Sequence, residues 1–386
     1  MSEDRSLAAE QEVGRINAFF PILPRLGNHW AAARPWEGLT IALNLHLTSL
    51  TASLVRELSL GGGQFVLTAA SERTTDGASV DLLRNLGFTV YTGGDMEDRY
   101  LQTLEHEPHF IVDTGFELLD SLLDRSRAGL DNVRAAVEIT RSGISRLQLR
   151  GGVPFPVVNI NDGRLRDRVE NRHGVGEAIW QAVSQSTGMH LAGRRVLVVG
   201  YGPVGRGLAR YAQAAGMSVE VCDTDPVRRL FAHYDGYPTP TLDDGLKRAG
   251  LLVTATGRRD AVTVEHLAYA RDGIVLVNAG HGGDEFDVAG IRRAAKNRDH
   301  ISEQVARYQL QNGNHVTVLG DGHPLNIVLN SGSPEPVLLH FAVLGLTLEW
   351  LTSQPDLRPG EVAIPDDIEN RAARFALQAL DPSVHG

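Results

Sequence analysis

Residues 194–207 read Arg-Arg-Val-Leu-Val-Val-Gly200-Tyr-Gly202-Pro203-Val204-Gly205-Arg-Gly, and this stretch decides the fold. Val196–Val199 is a continuous apolar run, as a strand buried on both faces requires. Three glycines follow, and the chain then continues as GRGLARYAQAAG, a plausible helix. Each glycine has a physical task. Gly200 permits a tight turn, Gly202 lets the backbone approach a pyrophosphate, and Gly205 allows close helix–strand packing. Pro203 and Val204 lie between them in the same turn. The helix N-terminus presents N–H groups to phosphate oxygens. The next apolar run ends at Asp223, 18 residues beyond Gly205. A carboxylate there accepts hydrogen bonds from both ribose hydroxyls and repels a 2′-phosphate, which favours NAD over NADP. Arg228 and Arg229 follow closely and keep NADP open.

Outward from this turn, short apolar runs alternate with helical stretches. The runs are 63–71, 88–94 and 109–115 on one side, and 218–223, 250–256, 273–280 and 316–322 on the other. Helical patterns at 79–87 and after Met96 separate the first set. This rhythm implies right-handed βαβ units and parallel sheets. The expected fold is α/β and two-lobed: a Rossmann-type NAD-binding domain over 176–331, and an α/β substrate domain from 1–175 joined by 332–386. The last segment is also expected to carry the oligomer contact. Substrate and nicotinamide are expected to meet between the lobes. Residues 338–354, LLHFAVLGLTLEWLTSQ, read as a helix too apolar to face water.

Composition narrows the function. The chain has 386 residues, 42% hydrophobic and 22% charged, with a formal charge of −10. That balance argues against a nucleic-acid binder, which needs clustered cations. One cysteine, Cys222, excludes an intrachain disulfide framework and a CxxC metal site. No apolar run reaches the roughly 18 residues of a membrane span. The first residues lack the basic-then-apolar order of a signal peptide, so a cytoplasmic protein is expected. No metal is expected. Lys247 and Lys296 are the only lysines, so no lysine precedes residue 247.

Four stretches together resemble the adenosylhomocysteinase (S-adenosylhomocysteine hydrolase) family. They are HLTSLT (46–51), NINDGRLRDRVENRHG (159–174), the glycine turn with VCDTDP (221–226), and NAGHGGDEFDV (278–288). LNIVLNSGSP (325–334) is a weaker fifth. The resemblance implies an enzyme that keeps NAD bound, oxidises a ribose 3′-hydroxyl, and so allows a 5′ thioether to be eliminated and water added. It also implies a nucleoside-like small-molecule substrate.

Residue by residue, the resemblance makes His46 and His281 catalytic, His46 near the 5′ carbon and His281 near the same face of the substrate and the nicotinamide. It places Asn171, Asn326 and the run Thr140, Arg141, Ser142 at NAD; Arg228, Ala279 and Gly280 are expected among the cofactor-binding residues as well. Thr48 and Thr51 fall in the substrate pocket. The departures are as informative. The family's lysine is Arg166 here, and its aspartate is Glu170. Arginine stays protonated and cannot act as a base, so Glu170 takes that role while Arg166 stabilises an oxyanion. Leu50 replaces an adenine-contacting glutamate. Ile139 replaces a ribose-binding glutamate, with Glu138 adjacent. Thr114 stands at an active-site aspartate, with Asp113 beside it. Gly282 and Ser333 replace the two gate residues. Changes in one pocket on this scale imply an altered substrate.

The family's C-terminal tail has no counterpart after DPSVHG, and a homo-oligomer, a dimer first, is expected. Two other readings stay open: a simple NAD-dependent dehydrogenase on the same scaffold, and a catalytically silent NAD-bound regulator.

Overall fold

The computed structural model describes residues 2–125, 131–280, 284–381 and 383. The chain divides into two compact units, Met1–Asp167 with Pro334–Gly386, and Arg168–Ser333.

In the first unit the strands are β1 Thr40–Leu45, β2 Gln64–Ala69, β3 Thr89–Tyr91, β4 Phe110–Asp113, β5 Ala135–Glu138 and β6 Pro156–Asn159. The second unit carries β7 Arg195–Val199, β8 Ser218–Cys222, β9 Leu251–Thr254, β10 Ile274–Asn278, β11 Ala295–Ser302, β12 Val305–Leu310 and β13 His315–Leu319. The returning chain adds β14 Gly360–Ala363 to the first unit.

The first sheet runs β14-β6-β5-β4-β1-β2-β3, and its pairings are parallel. The central strands are almost wholly buried, as a sheet covered on both faces demands. The apolar helix Glu335–Leu351 packs with the helices Ile22–Ala33, Ser49–Ser59 and Asp366–Leu380. Its residues 338–348 are buried inside this unit, so its composition is explained without a second chain. Trp30 and Trp36 are fully buried beside it, with ring centroids 5.2 Å apart. Gly345 sits directly under Trp30.

The second sheet runs β11-β12-β13-β10-β9-β7-β8. From β8 to β13 it is parallel, and β12 and β11 add an antiparallel edge. Separate apolar clusters lie on its two faces. One is built around Val196, Val198, Leu208 and Ile179, the other around Leu197, Leu252, Leu276 and Ile291. This is the doubly wound arrangement, with strand order reversing between β7 and β9.

No helix among the described residues is long and apolar enough to cross a membrane.

The packing at Gly345 makes a stability prediction. A Cβ there would lie 2.3 Å from the Trp30 ring. Gly345→Ala should therefore cost about 1–3 kcal/mol through overpacking. Gly14, in the helix Ser2–Phe19, has nothing within 4 Å of an added Cβ. Gly14→Ala should hold or raise stability by up to about 1 kcal/mol. Calorimetric melting temperatures of the two variants check the contrast, and equal melting points would refute it.

Candidate functional site

The glycine turn has the geometry its sequence requires. Gly200 adopts φ +99°, and an added Cβ would meet the Ala255 carbonyl at 2.5 Å. Its amide donates to the Cys222 carbonyl, 2.7 Å away, which ties the turn to β8. At Gly205 a Cβ would fall 1.9 Å from the Gly200 carbonyl, so only glycine fits. Gly202 differs: its added Cβ would meet only Arg228 Nη1, at 3.8 Å. The space in front of that residue is open, as a phosphate cradle needs. Pro203 opens the helix Pro203–Ala214, where its missing N–H is no loss. Val204 is half-buried against the core.

Asp223 closes the next strand. One carboxylate oxygen accepts the Tyr201 amide at 2.7 Å, and the other accepts the Asp225 amide at 2.9 Å. Two lone-pair positions remain for ribose hydroxyls. Arg228 approaches both Asp223 and Asp225, at 3.9 and 3.6 Å. Ala279 and Gly280 follow β10. The Gly280 amide donates to Asn278 Oδ1 at 2.8 Å, and Asn278 Nδ2 donates to the Gly322 carbonyl at 2.9 Å. Asn326 lies in the short helix after β13, and its buried Oδ1 has no hydrogen-bond partner among the described residues. His281 and Gly282 lie outside the described residues.

Arg166–Val175 forms a π-helix, a winding that is rare and recurs at functional sites. Glu170 on it is buried and Asn171 half-buried. Its C-terminal half lies against the glycine-turn helix. A Cβ on Gly207 would sit 2.1 Å from the Arg172 carbonyl, and one on Gly176 would sit 2.8 Å from the Gly207 backbone. The His173 ring is edge-on to Tyr211, with Nδ1 3.2 Å from the tyrosine oxygen. Burial lowers the His173 pKa, aided by Arg210 and Arg172. Burial also holds Arg166 down to about 10, so the guanidinium stays charged at neutral pH. His340 in the same unit is pushed well below the usual imidazole range by burial and then by the Arg166 charge.

In the first unit the candidate substrate residues gather at the C-terminal ends of β1, β4 and β5, where ligands bind in open parallel sheets. His46 follows β1, with Nδ1 2.7 Å from Thr74 Oγ1. Thr48 precedes the helix Ser49–Ser59, Leu50 is half-buried in its first turn, and buried Thr51 donates to the His46 carbonyl. Thr114 Oγ1 donates to the Asn44 carbonyl at 2.7 Å.

Asp113 and Glu138 are fully buried. Asp113 accepts from Asn44 Nδ2 and from the amides of Thr114 and Leu119. Glu138 accepts from the amides of Gly115, Phe116 and Thr140 and from Thr140 Oγ1. Both carboxylates therefore order loops and face no open space. Burial raises both pKa values, and the hydrogen bonds oppose it. Thr140 caps the helix Arg141–Arg150, Ser142 Oγ is 3.2 Å from its hydroxyl, and exposed Arg141 pairs with Asp162 at 3.1 Å. Ser333, half-buried, ends the second unit.

Residues 171–332 match the family described as S-adenosyl-L-homocysteine hydrolase, NAD binding domain. The S-inosyl-L-homocysteine hydrolase of Methanopyrus kandleri is 31% identical over 371 residues, covering 93% of this chain and 88% of the relative. The adenosylhomocysteinase of Thermotoga maritima is 30% identical over 381 residues, covering 96% and 94%. The chain belongs to the S-adenosyl-L-homocysteine hydrolase family. It is an adenosylhomocysteinase-like hydrolase, and its cofactor is NAD. Among solved structures, the dipicolinate synthase A chain of Bacillus subtilis aligns with TM-score 0.50 at 14% identity, over 82% of this chain and 98% of that one. That likeness concerns the fold alone.

The residues present fit NAD. Gly200, Gly202 and Gly205 shape the pyrophosphate turn, Asp223 has acceptor positions for the ribose, and Asn326 Oδ1 is an orphaned acceptor. Several site residues escape sequence reading. Thr74, which bonds His46, sits in a loop with no motif. Asn278 and Glu285 are fully buried polar groups inside a stretch whose histidine draws attention instead. His323 follows Gly322, held beside Asn278 by the pairing of Asn278 with Pro324.

The adenosine half of the site yields a cofactor prediction. NAD⁺ should bind more tightly than NADP⁺, and Asp223→Ala should shrink that preference by about tenfold, the usual scale for a lost charged hydrogen-bond partner. Titration of the two cofactors into both proteins measures it. Equal dissociation constants in the wild type would refute the assignment.

Proposed function

We propose that the protein hydrolyses a nucleoside thioether by transient oxidation of a secondary alcohol, and that its substrate carries a base other than adenine, such as the 6-oxo purine of an S-inosyl thioether. The half-buried Leu50 in the first turn of Ser49–Ser59 carries the second part. A glutamate at this place accepts a hydrogen bond from an exocyclic amino group. Leucine offers no acceptor, and buried sites discriminate strongly on such partners. A 6-oxo purine has no amino group at that position. Curated relatives named S-inosyl-L-homocysteine hydrolase, from Methanopyrus kandleri and Methanothermobacter thermautotrophicus, support this reading.

NAD, when bound, takes hydride from the alcohol carbon and later returns it. This chain's own residues handle charge and protons. Arg166, permanently charged, holds the oxygen of the alcohol as its proton leaves. Glu170 accepts that proton, passes it on to water, and as a carboxylate again takes the one released next to the resulting carbonyl. A carbonyl β to sulfur makes the thiolate a competent leaving group. His46, braced by Thr74, moves the proton between water and the departing sulfur. His281 would serve the same face. Thr48 and Thr51 position the sugar and base, and the chain is expected to act as a homo-oligomer in the cytoplasm.

Turnover separates this reading from a dehydrogenase or a silent regulator, because it leaves no net NADH. Glu170→Gln should lower turnover by ~10²-fold or more while nearly preserving NAD affinity, the scale of a lost general base. Arg166→Lys should retain more activity than Arg166→Ala. With thiol release as the readout, the wild type should prefer the S-inosyl over the S-adenosyl thioether, and Leu50→Glu should shift the ratio toward S-adenosyl by about tenfold. Wild-type turnover in Glu170→Gln would overturn the mechanism. An unshifted ratio in Leu50→Glu would overturn the substrate.

A further inference from the structure

We propose that Glu285 is a positioning residue that holds the nicotinamide half of the NAD site and favours the oxidised cofactor. The inference rests on the NAD-binding domain and is independent of the substrate proposed above.

Glu285 is fully buried. Its Oε2 accepts from the Thr256 amide and the Thr256 hydroxyl, each at 2.9 Å. Its Oε1 accepts from the Gly257 amide at 2.7 Å. These donors, all neutral groups, belong to the loop after β9. The Glu285 carbonyl also accepts the Val262 amide at 3.1 Å. On its other side the carboxylate lies against Gly280, where an added Cβ would fall 1.6 Å from Oε1. Gly280 in turn bonds Asn278, and Asn278 bonds Gly322. One carboxylate and one carboxamide therefore lock together the loops that follow β9, β10 and β13.

Position gives this lock a chemical meaning. In a doubly wound sheet the dinucleotide lies across the reversal of strand order, one mononucleotide per half. The glycine turn and Asp223 on β7 and β8 take the adenosine side. The loops after β9 and β10 border the nicotinamide side. The nicotinamide ring is cationic when oxidised and neutral when reduced. A fixed carboxylate on that side, out of bulk water, attracts the first form and not the second.

The test is calorimetric titration of the full chain, freed of bound nucleotide, with NAD⁺, NADH and ADP-ribose. ADP-ribose lacks the nicotinamide and reports on the adenosine half alone. Glu285→Gln keeps the shape and removes the charge. It should weaken NAD⁺ about tenfold, NADH much less, and ADP-ribose by under about twofold, since hydrogen bonds to charged groups set that scale. Equal weakening of NAD⁺ and NADH overturns the charge effect. Equal weakening of NAD⁺ and ADP-ribose overturns the positioning role. Failure of the wild type to bind ADP-ribose would sink the NAD assignment as well as this one, which distinguishes the two failures. Should Glu285→Gln not fold, Thr256→Val removes one donor and leaves the carboxylate in place. It should weaken NAD⁺ by about threefold and leave ADP-ribose unchanged, the scale of one neutral hydrogen bond. Unchanged NAD⁺ affinity there overturns the proposal.

Discussion

Backbone pressed against backbone is the constraint on which the second unit depends. Gly205 rests on the Gly200 carbonyl, Gly207 on the Arg172 carbonyl, and Gly176 on Gly207. No side chain larger than hydrogen fits at any of these contacts. The consequence reaches past the phosphate turn. The helix that presents its N-terminus to the cofactor is in direct contact with the π-helix that carries Glu170 and Asn171. A shift in one is a shift in the other, because interiors at native density transmit displacement instead of absorbing it. The Trp180 indole, on the helix Gly176–Thr187 that follows the π-helix, donates to the Leu208 carbonyl at 3.0 Å and adds a side-chain tie to the glycine-turn helix.

A second device recurs at the strand ends of both units. Asp113 and Glu138 in the first unit, and Asp223 and Glu285 in the second, each collect backbone amides from a neighbouring loop. A buried carboxylate without donors would be costly, whereas several amide donors compensate its lost hydration. The arrangement also makes the loops rigid where a ligand must be oriented. It explains why acidic residues sit at the ends of β4, β5 and β8, and just beyond β10, without each being a ligand. Among them, Asp223 keeps spare acceptor capacity, with Arg228 at its edge, and the other three are fully buried.

How much of this was legible follows from the kind of signal each feature carries. The strands β7, β9 and β10 are continuous apolar runs followed by glycine, and their period and punctuation are readable directly. The burial of 338–348 was readable for the same reason, although a partner chain is not needed to explain it. The edge strand Ala295–Ser302 is AKNRDHIS, nearly all exposed and polar, so no hydrophobic pattern marks it. The short β5, β6 and β14 are four residues each and gain their identity only by pairing with neighbours. In the site, the turn glycines and Asp223 were legible because each has a local backbone task. Thr74, Asn278 and Glu285 were not, because their tasks are defined by loops distant in sequence.

The replacement of lysine by Arg166 has a consequence for proton traffic. An enclosed lysine can exchange its proton near neutral pH, since burial moves an ammonium readily. The guanidinium at 166 is also lowered by burial, yet only to about 10, and it keeps its charge throughout the working range. It supplies a fixed field in place of a proton carrier. His340, the imidazole that feels this field inside the same unit, is held neutral by burial and by that charge. In the mechanism proposed above, the proton released during oxidation of the alcohol passes to a carboxylate instead. Glu170 takes that role in the proposal, and His46 serves the separate exchange at the departing sulfur. On that proposal, fixed charge and proton exchange rest on two groups, Arg166 and Glu170, where a lysine could combine them in one.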